Sequence, residues 1–290
     1  MEIIRTIEWM KQVSRAGRAR EQVVGLVPTM GAIHAGHLSL VRESQKRCSP
    51  VVVSIFVNPT QFGPAEDLAK YPRPFEADCS ALEKAGVDYV FAPSVEEMYP
   101  SPFLTSVAVD GLGDRLEGCS RPGHFRGVAT IVLKLFEIVQ PVFAYFGRKD
   151  AQQQAVIRRI VHDLDLDTRV ITCSIVREPD GLALSSRNAY LVGDNRRAAA
   201  ILYRSLEALR EGIDRGERDV ARLISAMKNV IAAEPTVTLD YAELVDAESF
   251  EPVMSFRGAC FALLAAKVGG TRLIDNALIE QAGGRINVSL

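Results

Sequence analysis

Two histidines three residues apart, His34 and His37, are the side chains in this sequence best suited to phosphate chemistry. They lie in PTMGAIHAGHLSL, where the pattern predicts a strand ending at Pro28 and a helix beginning near Gly36. A helix N-terminus offers unpaired N–H groups and a partial positive charge to an anion. Two imidazoles on one side of the first turn can donate to charge that grows on a phosphate under attack. The alternative is two ordinary helix-start histidines; zinc is disfavoured because no third ligand accompanies them.

The segment FGRKDAQQQ (146–154) carries a second group of candidates, again at the end of a predicted strand. Ligands of open α/β sheets bind at the carboxyl ends of the strands. Lys149 suits a phosphate as a mobile point charge, Asp150 can accept from a ribose, and Gln153 follows on the next helix. Taken alone, the segment also fits an ordinary charged helix start.

Two weaker segments complete the set of candidates. LALSSRN (182–188) places two hydroxyls beside an arginine in a turn-rich stretch, which suits either a mobile phosphate clamp or a solvated linker. NPTQF (58–62) follows a strand and offers Asn58 and Gln61, uncharged groups able to bind substrate hydroxyls or simply to form a turn. Three of the four segments follow strands, so we expect them at one edge of a sheet.

The elements that must position these groups alternate between strand and helix over the first part of the chain. Apolar and β-branched runs predict strands at 23–28, 51–57, 87–93, 142–147 and 168–176. Helical spacing predicts helices at 36–47, 75–86, 124–139 and 151–163. This alternation predicts a parallel, Rossmann-like sheet with crossover helices over residues 1–175.

The pattern changes near residue 176. Two predicted helices (194–214 and 217–233) are followed by strand-like runs at 238–248, 259–268 and 271–275. Residues 176–290 are therefore predicted to form a smaller α+β domain, and the fold class of the whole chain is α/β.

Composition narrows the possible functions. A formal net charge of −2 predicts no general attraction to nucleic acid or an anionic membrane. The five cysteines are dispersed without a C-x-x-C pair, which favours reduced thiols over a disulfide framework or a cysteine zinc site. The opening MEIIRTIEWM carries acidic residues and is atypical of a signal peptide, and no apolar run is long enough for a bilayer. We expect a cytoplasmic protein without a metal site of its own; any metal would arrive with a nucleotide.

Longer strings make the comparison with a known family specific. H-x-G-H after a strand resembles the nucleotidylyl-transferase superfamily. Six ordered blocks resemble the pantothenate synthetase family, with the match running from about residue 23 to 190 and a shorter one near the C-terminus. The blocks are PTMGAIHAGHLSLV, FVNPTQFGPAEDLAKYPR, HFRGVATIVLKLF, FGRKDAQQ, REPDGLALSSRNAYL and TRLIDN.

The resemblance implies an ATP-dependent ligase. In that family ATP and pantoate form a pantoyl adenylate with loss of pyrophosphate, and β-alanine then displaces AMP to give pantothenate. It further implies Mg²⁺, a cytoplasmic homodimer, and an ATP- and pantoate-binding domain (1–175) followed by a C-terminal lid (176–290). No nucleic-acid or membrane partner is implied.

The resemblance also assigns site residues by motif. It implies that His37, usually the proton donor, acts with His34 and Lys149 in catalysis. It implies that Gln61 and Gln153 hold pantoate, and we expect Asn58 at the same pantoate or β-alanine site. The residues implied for ATP binding are Met30, Gly31, Ala32, Ile33, His34, Ala35, Gly36, His37, Gly147, Arg148, Lys149, Asp150, Val176, Leu184, Ser185, Ser186 and Arg187.

Two positions depart from the family pattern. Arg148 stands where the family has an acid, and Ala151 where it has an aromatic residue, so ATP affinity or packing can differ there. His124 is interpreted as structural, capping or orienting the helix it begins, and His162 as unrelated to the site.

Other functions remain open at this stage. A nucleotidylyl transferase acting on a phosphate-bearing acceptor would favour further Arg or Lys in the acceptor pocket. A tRNA synthetase would carry a basic RNA-binding appendage, which is not evident. A nucleotide sensor would bind ATP without releasing pyrophosphate, and it need not retain both histidines together with Lys149 and Arg187.

Overall fold

Parallel strands organise the first of two structural units in the computed structural model, which describes residues 1–64, 66–283 and 285–290. This unit comprises Met1–Arg148 and Gln152–Ser174, and the second comprises Lys149–Ala151 and Ile175–Leu290. The sheet of the first unit has the order β1-β4-β3-β2-β5-β6, with all described pairings parallel. Its strands are β1 (Glu2–Ile4), β2 (Gly25–Thr29), β3 (Val51–Ile55), β4 (Tyr89–Phe91), β5 (Phe143–Gly147) and β6 (Arg169–Cys173).

Helices cover both faces of this sheet. They are α1 (Ile7–Ala19), α2 (Ala35–Gln45), α3 (Phe75–Lys84), α4 (Val95–Met98), α5 (Glu117–Ser120), α6 (His124–Val139) and α7 (Ala151–Asp163). One apolar cluster joins α1 and α6 to one face through Leu26 and Val52. A second joins α2 and α3 to the other face through Val27 and Val53. Burial on both faces explains why β3 is apolar at four of its five positions rather than alternating.

The strand order reverses between β2 and β5, where the chain builds outwards in both directions. The two strands pair only at Gly25–Phe143 and Leu26–Ala144, although both continue further. The Thr29 carbonyl accepts from Phe56 N on the β3 side, so the backbone of Pro28 is directed towards β5. Proline has no N–H to donate to that neighbour. The described pairing of β2 with β5 therefore stops short of their carboxyl ends, the position at which open α/β sheets bind ligands in a crevice.

The second unit is an antiparallel sheet covered by helices. Its sheet order is β10-β9-β8-β7, from β7 (Val237–Asp246), β8 (Ala259–Val268), β9 (Thr271–Ala282) and β10 (Arg285–Ser289). Three helices precede the sheet: α8 (Asp194–Ala198), α9 (Ile201–Asp214) and α10 (Val220–Ala232). Leu206 and Leu209 of α9 and Met227 of α10 share one buried cluster with Leu264 of β8.

The predicted fold class is confirmed: a Rossmann-like parallel unit precedes a smaller α+β unit. Each strand and helix predicted in the first unit is present, with ends shifted by up to three residues. Five helices and strands of the described residues are additional to the prediction, namely β1, α1, α4, α5 and β10. The single predicted helix at 194–214 is two helices, α8 and α9. Within the described part of the chain, every helix is too short or too polar to span a bilayer.

Candidate active site

The histidine pair lies at the N-terminus of α2, directly after β2. His34 occupies the N-cap position, and its Nδ1 accepts from Gly36 N at 3.1 Å. His37 Nδ1 lies 3.4 Å from His34 N, which completes a reciprocal cap, and the two rings stack with centroids 4.0 Å apart. Because each Nδ1 accepts a hydrogen, each neutral ring carries its proton on Nε2. Both histidines thus present an Nε2–H donor from a helix N-terminus.

Asp78 of α3 holds the loop that leads into this helix. Its carboxylate accepts from Ala32 N at 2.8 Å and from Ile33 N at 2.7 Å, and its side chain is buried. Burial raises the pKa of the Asp78 carboxyl, against the lowering effect of these two hydrogen bonds. Gly31 adopts φ +84°, and an added Cβ would lie 2.9 Å from the Asp78 carboxylate. The loop therefore requires glycine there and a small acceptor opposite it.

Asn58 and Gln61 follow β3 on a single turn of 3-10 helix, Pro59–Gln61. Asn58 caps this turn and is buried, with 1% of its surface exposed. Its Nδ2 donates to Gln61 Oε1 at 2.9 Å and to the Gly127 carbonyl at 3.1 Å. Gln61 Nε2 in turn lies 3.2 Å from Met30 Sδ on the loop after β2. The segments that follow β2 and β3 thus meet at these side chains.

His124, the first residue of α6, forms a hydrogen bond with the same 3-10 turn. Its Nδ1 lies 2.8 Å from the Gln61 carbonyl oxygen, so Nδ1 carries the hydrogen, and Nε2 accepts from Arg121 Nη1 at 3.0 Å. Arg121 also forms a two-bond ion pair with Glu66. Burial and the charge of Arg121 lower the pKa of His124 to about 4. His124 is therefore a neutral structural group at pH 7, and its ring binds the 3-10 turn rather than capping α6.

The end of β5 supplies the third edge of the crevice. Gln154 of α7 donates to the Gly147 carbonyl, and its Oε1 accepts from Thr172 of β6. Gln152 is likewise buried by bonds to loop carbonyls, whereas Gln153 between them is half-buried. Arg148, the departure from the family pattern, has a buried side chain.

The remaining predicted residues belong to the second unit. Lys149 Nζ lies 3.5 Å from Asp150 Oδ1, and the Lys149 carbonyl accepts from Asn276 Nδ2 at 2.9 Å. Ser185 caps a 3-10 helix at Ser186–Tyr190, accepting from Arg187 N at 3.3 Å.

Val176 and Leu184 lie on adjoining backbone segments of this unit, joined by a bond from Leu184 N to the Val176 carbonyl. Next to Val176, Arg177 makes a two-bond ion pair with the buried Asp275 of the TRLIDN block. The arginine also lies over the ring of Tyr203, with its guanidinium carbon 4.8 Å from the ring centroid. These contacts fix the backbone that precedes the serine–arginine segment.

The predicted residues of the first unit thus follow three adjacent strands, β3, β2 and β5. Sequence reasoning missed three contributors to the site. Asp78 binds the backbone of the loop before α2, and the Arg121–Glu66 pair supports His124. The third is Tyr99, whose hydroxyl donates to Asn58. For Asp78 a signal existed, because it shares a buried helical face with Leu82 at i, i+4. Among the described residues there is no cluster of three His, Cys, Asp or Glu side chains able to hold a metal ion.

A parallel sheet with a histidine-capped helix at its point of strand reversal defines an α/β enzyme of the nucleotide-dependent type. The sequence profile of the pantoate–β-alanine ligase family matches residues 2–278. Pantothenate synthetase of Koribacter versatilis is 52% identical over 283 residues, which are 98% of this chain and 97% of that protein.

Crystal structures agree with the sequence comparison. That of pantothenate synthetase from Thermus thermophilus matches with a TM-score of 0.91 at 47% identity, covering 95% of this chain and 98% of that one. The ligase from Francisella tularensis, complexed with β,γ-ATP and β-alanine, gives 0.78 at 35% identity, covering 95% and 97%. The chain belongs to the pantoate–β-alanine ligase family. It is therefore an enzyme, a ligase that joins pantoate to β-alanine.

Proposed function

We propose that this ligase works in two half-reactions. The pantoate carboxylate attacks the α-phosphorus of ATP, and pyrophosphate leaves to give pantoyl adenylate. The β-alanine amine then attacks the acyl carbon, and AMP leaves with the formation of the amide bond. The similarity to the Francisella tularensis ligase, whose structure holds an ATP compound and β-alanine, supports both substrates.

The observation that carries the proposal is the shared orientation of the two imidazoles at the α2 N-terminus. Both Nδ1 atoms accept backbone hydrogens, which leaves both protons on Nε2 as donors for phosphate oxygens. His37, with His34, then stabilises the negative charge that grows during attack on the α-phosphate. Asp78 restrains the loop Met30–Ile33 so that Ala32 and Gly36 can approach the nucleotide closely.

We place pantoate against the glutamine-bearing segments. Gln61 offers Nε2 hydrogens whose described acceptor is the Met30 thioether, and sulfur is a weak acceptor. A substrate oxygen is a stronger acceptor and takes its place. Gln153 is the half-buried member of a row whose neighbours donate to backbone carbonyls, Gln152 to those of a loop and Gln154 to that of Gly147 in β5. Asn58 acts by holding Gln61 rather than by direct contact, because both hydrogens of its amide are already used.

The other nucleotide contacts are assigned from the family pattern. Lys149 binds phosphate, Asp150 binds the ribose, and Arg187 with Ser185 and Ser186 binds the triphosphate. Gly147, Arg148, Val176 and Leu184 complete the ATP residues.

Mg²⁺ binds with the nucleotide, because the described residues form no acidic cluster and Mg²⁺ is commonly held by substrate phosphates with one or two carboxylates. Bound to the phosphates, the ion would neutralise their charge.

The roles of the two domains, the oligomeric state and the cellular compartment are also predictions from the resemblance. We propose that residues 1–175 bind ATP and pantoate, that residues 176–290 act as a lid, and that the enzyme is a cytoplasmic homodimer. Light scattering of the purified protein tests the dimer, which a monomeric mass would contradict.

Release of pyrophosphate and AMP tests the two half-reactions. Mg·ATP and pantoate alone should release pyrophosphate, and free AMP with pantothenate should follow only when β-alanine is added. Pantoate-dependent pyrophosphate should not form if the adenylate route is wrong, even from folded protein that binds ATP.

Three variants test the residue assignments. His37→Ala and Lys149→Ala should each lower the adenylation rate by orders of magnitude while the chain stays folded. Gln61→Glu keeps the acceptor for Asn58 but places negative charge where the amide hydrogens were. Its KM for pantoate should rise by about a hundredfold, since an anion then meets a like charge. A near-normal adenylation rate in either alanine variant, or a near-normal KM for pantoate in Gln61→Glu, would refute the role assigned to that residue.

A further inference from the structure

Tyr99, which follows α4, directs its hydroxyl into the polar group behind Gln61. The hydroxyl donates to Asn58 Oδ1 at 2.7 Å, although the two residues are 41 positions apart in the chain. Its ring is held between other aromatic side chains, with centroids 6.1 Å from Phe56 and 4.9 Å from Phe103. The Lys134 ammonium lies 5.7 Å from the same ring. The position of the hydroxyl is therefore set by packing that does not involve Asn58.

The amide of Asn58 has a single orientation that satisfies these neighbours. Its Oδ1 accepts from the Tyr99 hydroxyl, from the Thr60 hydroxyl at 2.9 Å and from Thr60 N at 3.4 Å. Its Nδ2 gives both hydrogens to acceptors, Gln61 Oε1 and the Gly127 carbonyl. Turning the amide over would place a carbonyl oxygen against two acceptors, leaving buried groups unsatisfied. The donors on Oδ1 thus determine that a hydrogen points at Gln61.

The orientation of Asn58 determines that of Gln61. Because Gln61 Oε1 must accept from Asn58, its Nε2 is the atom turned towards Met30 and the crevice. The close approach of α6 completes the arrangement: a Cβ on Gly127 would lie 2.4 Å from the Thr60 carbonyl oxygen. The amide of a glutamine on an unrestrained loop could turn either its oxygen or its nitrogen towards a ligand. The amide of Gln61 turns only its nitrogen, a hydrogen-bond donor, towards the crevice.

We propose that Tyr99 is a positioning residue that, through Asn58, fixes Gln61 as a hydrogen-bond donor and so makes the pocket specific for an oxygen acceptor of pantoate. The inference rests on the proposed binding of pantoate by Gln61. Tyr99 itself does not touch the substrate. Burial raises the pKa of its hydroxyl, so it stays protonated and remains a donor at neutral pH.

Steady-state kinetics of Tyr99→Phe test this relay, because phenylalanine keeps the ring and removes only the hydroxyl. The KM for pantoate should rise about threefold to tenfold, the effect of one hydrogen bond, with kcat and the KM for ATP within about twofold of wild type. Thr60→Val, which removes the other hydroxyl on Oδ1, should act in the same direction. Tyr145→Phe is the matched control: it deletes a buried hydroxyl bound to Cys48 in the same unit and should change none of these constants.

A double-mutant cycle separates positioning from general destabilisation. In a Gln61→Ala background, Tyr99→Phe should have no further effect on the KM for pantoate, because the group that it orients is gone. An equal effect in both backgrounds would show that Tyr99 matters only for packing, and would overturn the relay. A normal KM in both Tyr99→Phe and Thr60→Val, with Gln61→Ala impaired, would also overturn it. A normal KM in Gln61→Ala would instead refute the pantoate-binding role on which the inference rests.

Discussion

The buried histidine His124 makes the stability of the first unit depend on pH. Its pKa is lowered from 6.5 to about 4, first by burial and then by the charge of Arg121. The folded state therefore binds the proton less tightly than the unfolded chain does. The stabilisation is complete above pH 6.5 and is lost as the pH falls from 6.5 towards 4. At 1.36 kcal/mol per pKa unit, acidification from pH 7 to pH 4.5 should cost about 2 kcal/mol through this residue alone.

Denaturant unfolding of the wild type and of His124→Asn measures this cost. Asparagine can still donate to the Gln61 carbonyl but does not titrate, so the variant should lose about 2 kcal/mol less between the two pH values. The single tryptophan, Trp9, lies on α1 and reports unfolding of this unit by fluorescence. His162→Asn, at a histidine whose side chain is 78% exposed, is the control and should keep the wild-type loss. Equal losses in wild type and His124→Asn would refute the argument.

Three further changes test the packing around the site and the second unit. Gly127→Ala should destabilise the first unit by about 1 to 3 kcal/mol and raise the KM for pantoate, because its Cβ would meet backbone at 2.4 Å. Gly17→Ala in α1 is the control: its Cβ would meet only side-chain atoms, at 3.3 and 3.5 Å, and the flexible Gln22 can move away. This variant should be neutral or stabilising in the same unfolding assay. Asp78→Ala should lower the free energy of unfolding by about 2 to 4 kcal/mol, because two backbone N–H groups lose their acceptor. It should also weaken ATP binding measured by calorimetry. An unchanged affinity would show that the loop Met30–Ile33 does not contribute to nucleotide binding. Asp275→Ala should cost about 3 to 5 kcal/mol, because it leaves the mostly buried guanidinium of Arg177 without its carboxylate. Asp180→Ala removes a partner from a more exposed pair and should cost under about 1 kcal/mol. Similar melting shifts in the two variants would contradict this.

The fold was predictable from sequence where burial imposes a continuous apolar pattern. VVVSIFV indicated β3 because a strand covered on both faces has no polar alternation. The strand β1 has only three residues, too few for any period to show, and it pairs with β4 at Tyr89–Phe91. Its existence depends on a partner more than eighty residues away, which local pattern cannot supply.

The positions of the candidate residues were predictable where these residues form a contiguous motif. His34 and His37 are neighbours in sequence and at the helix start, so spacing alone located them. The contacts of Tyr99 with Asn58 and of Asp78 with Ala32 could not be found in this way, because the partners are 41 and 46 residues distant. Spacing also does not distinguish three consecutive glutamines, and only the fold separates those that hold loops from the one left half-buried.

The crevice between β2 and β5 lies where the backbone pairing of the two strands stops, beside a proline that has no N–H to donate. Its existence is consequently independent of what lines it. Side chains at the strand ends can be exchanged during evolution, and the chemistry of the bound ligand changed with them, while the opening persists. The backbone of the strand ends thus sets where a ligand binds, whereas their side chains set which ligand binds.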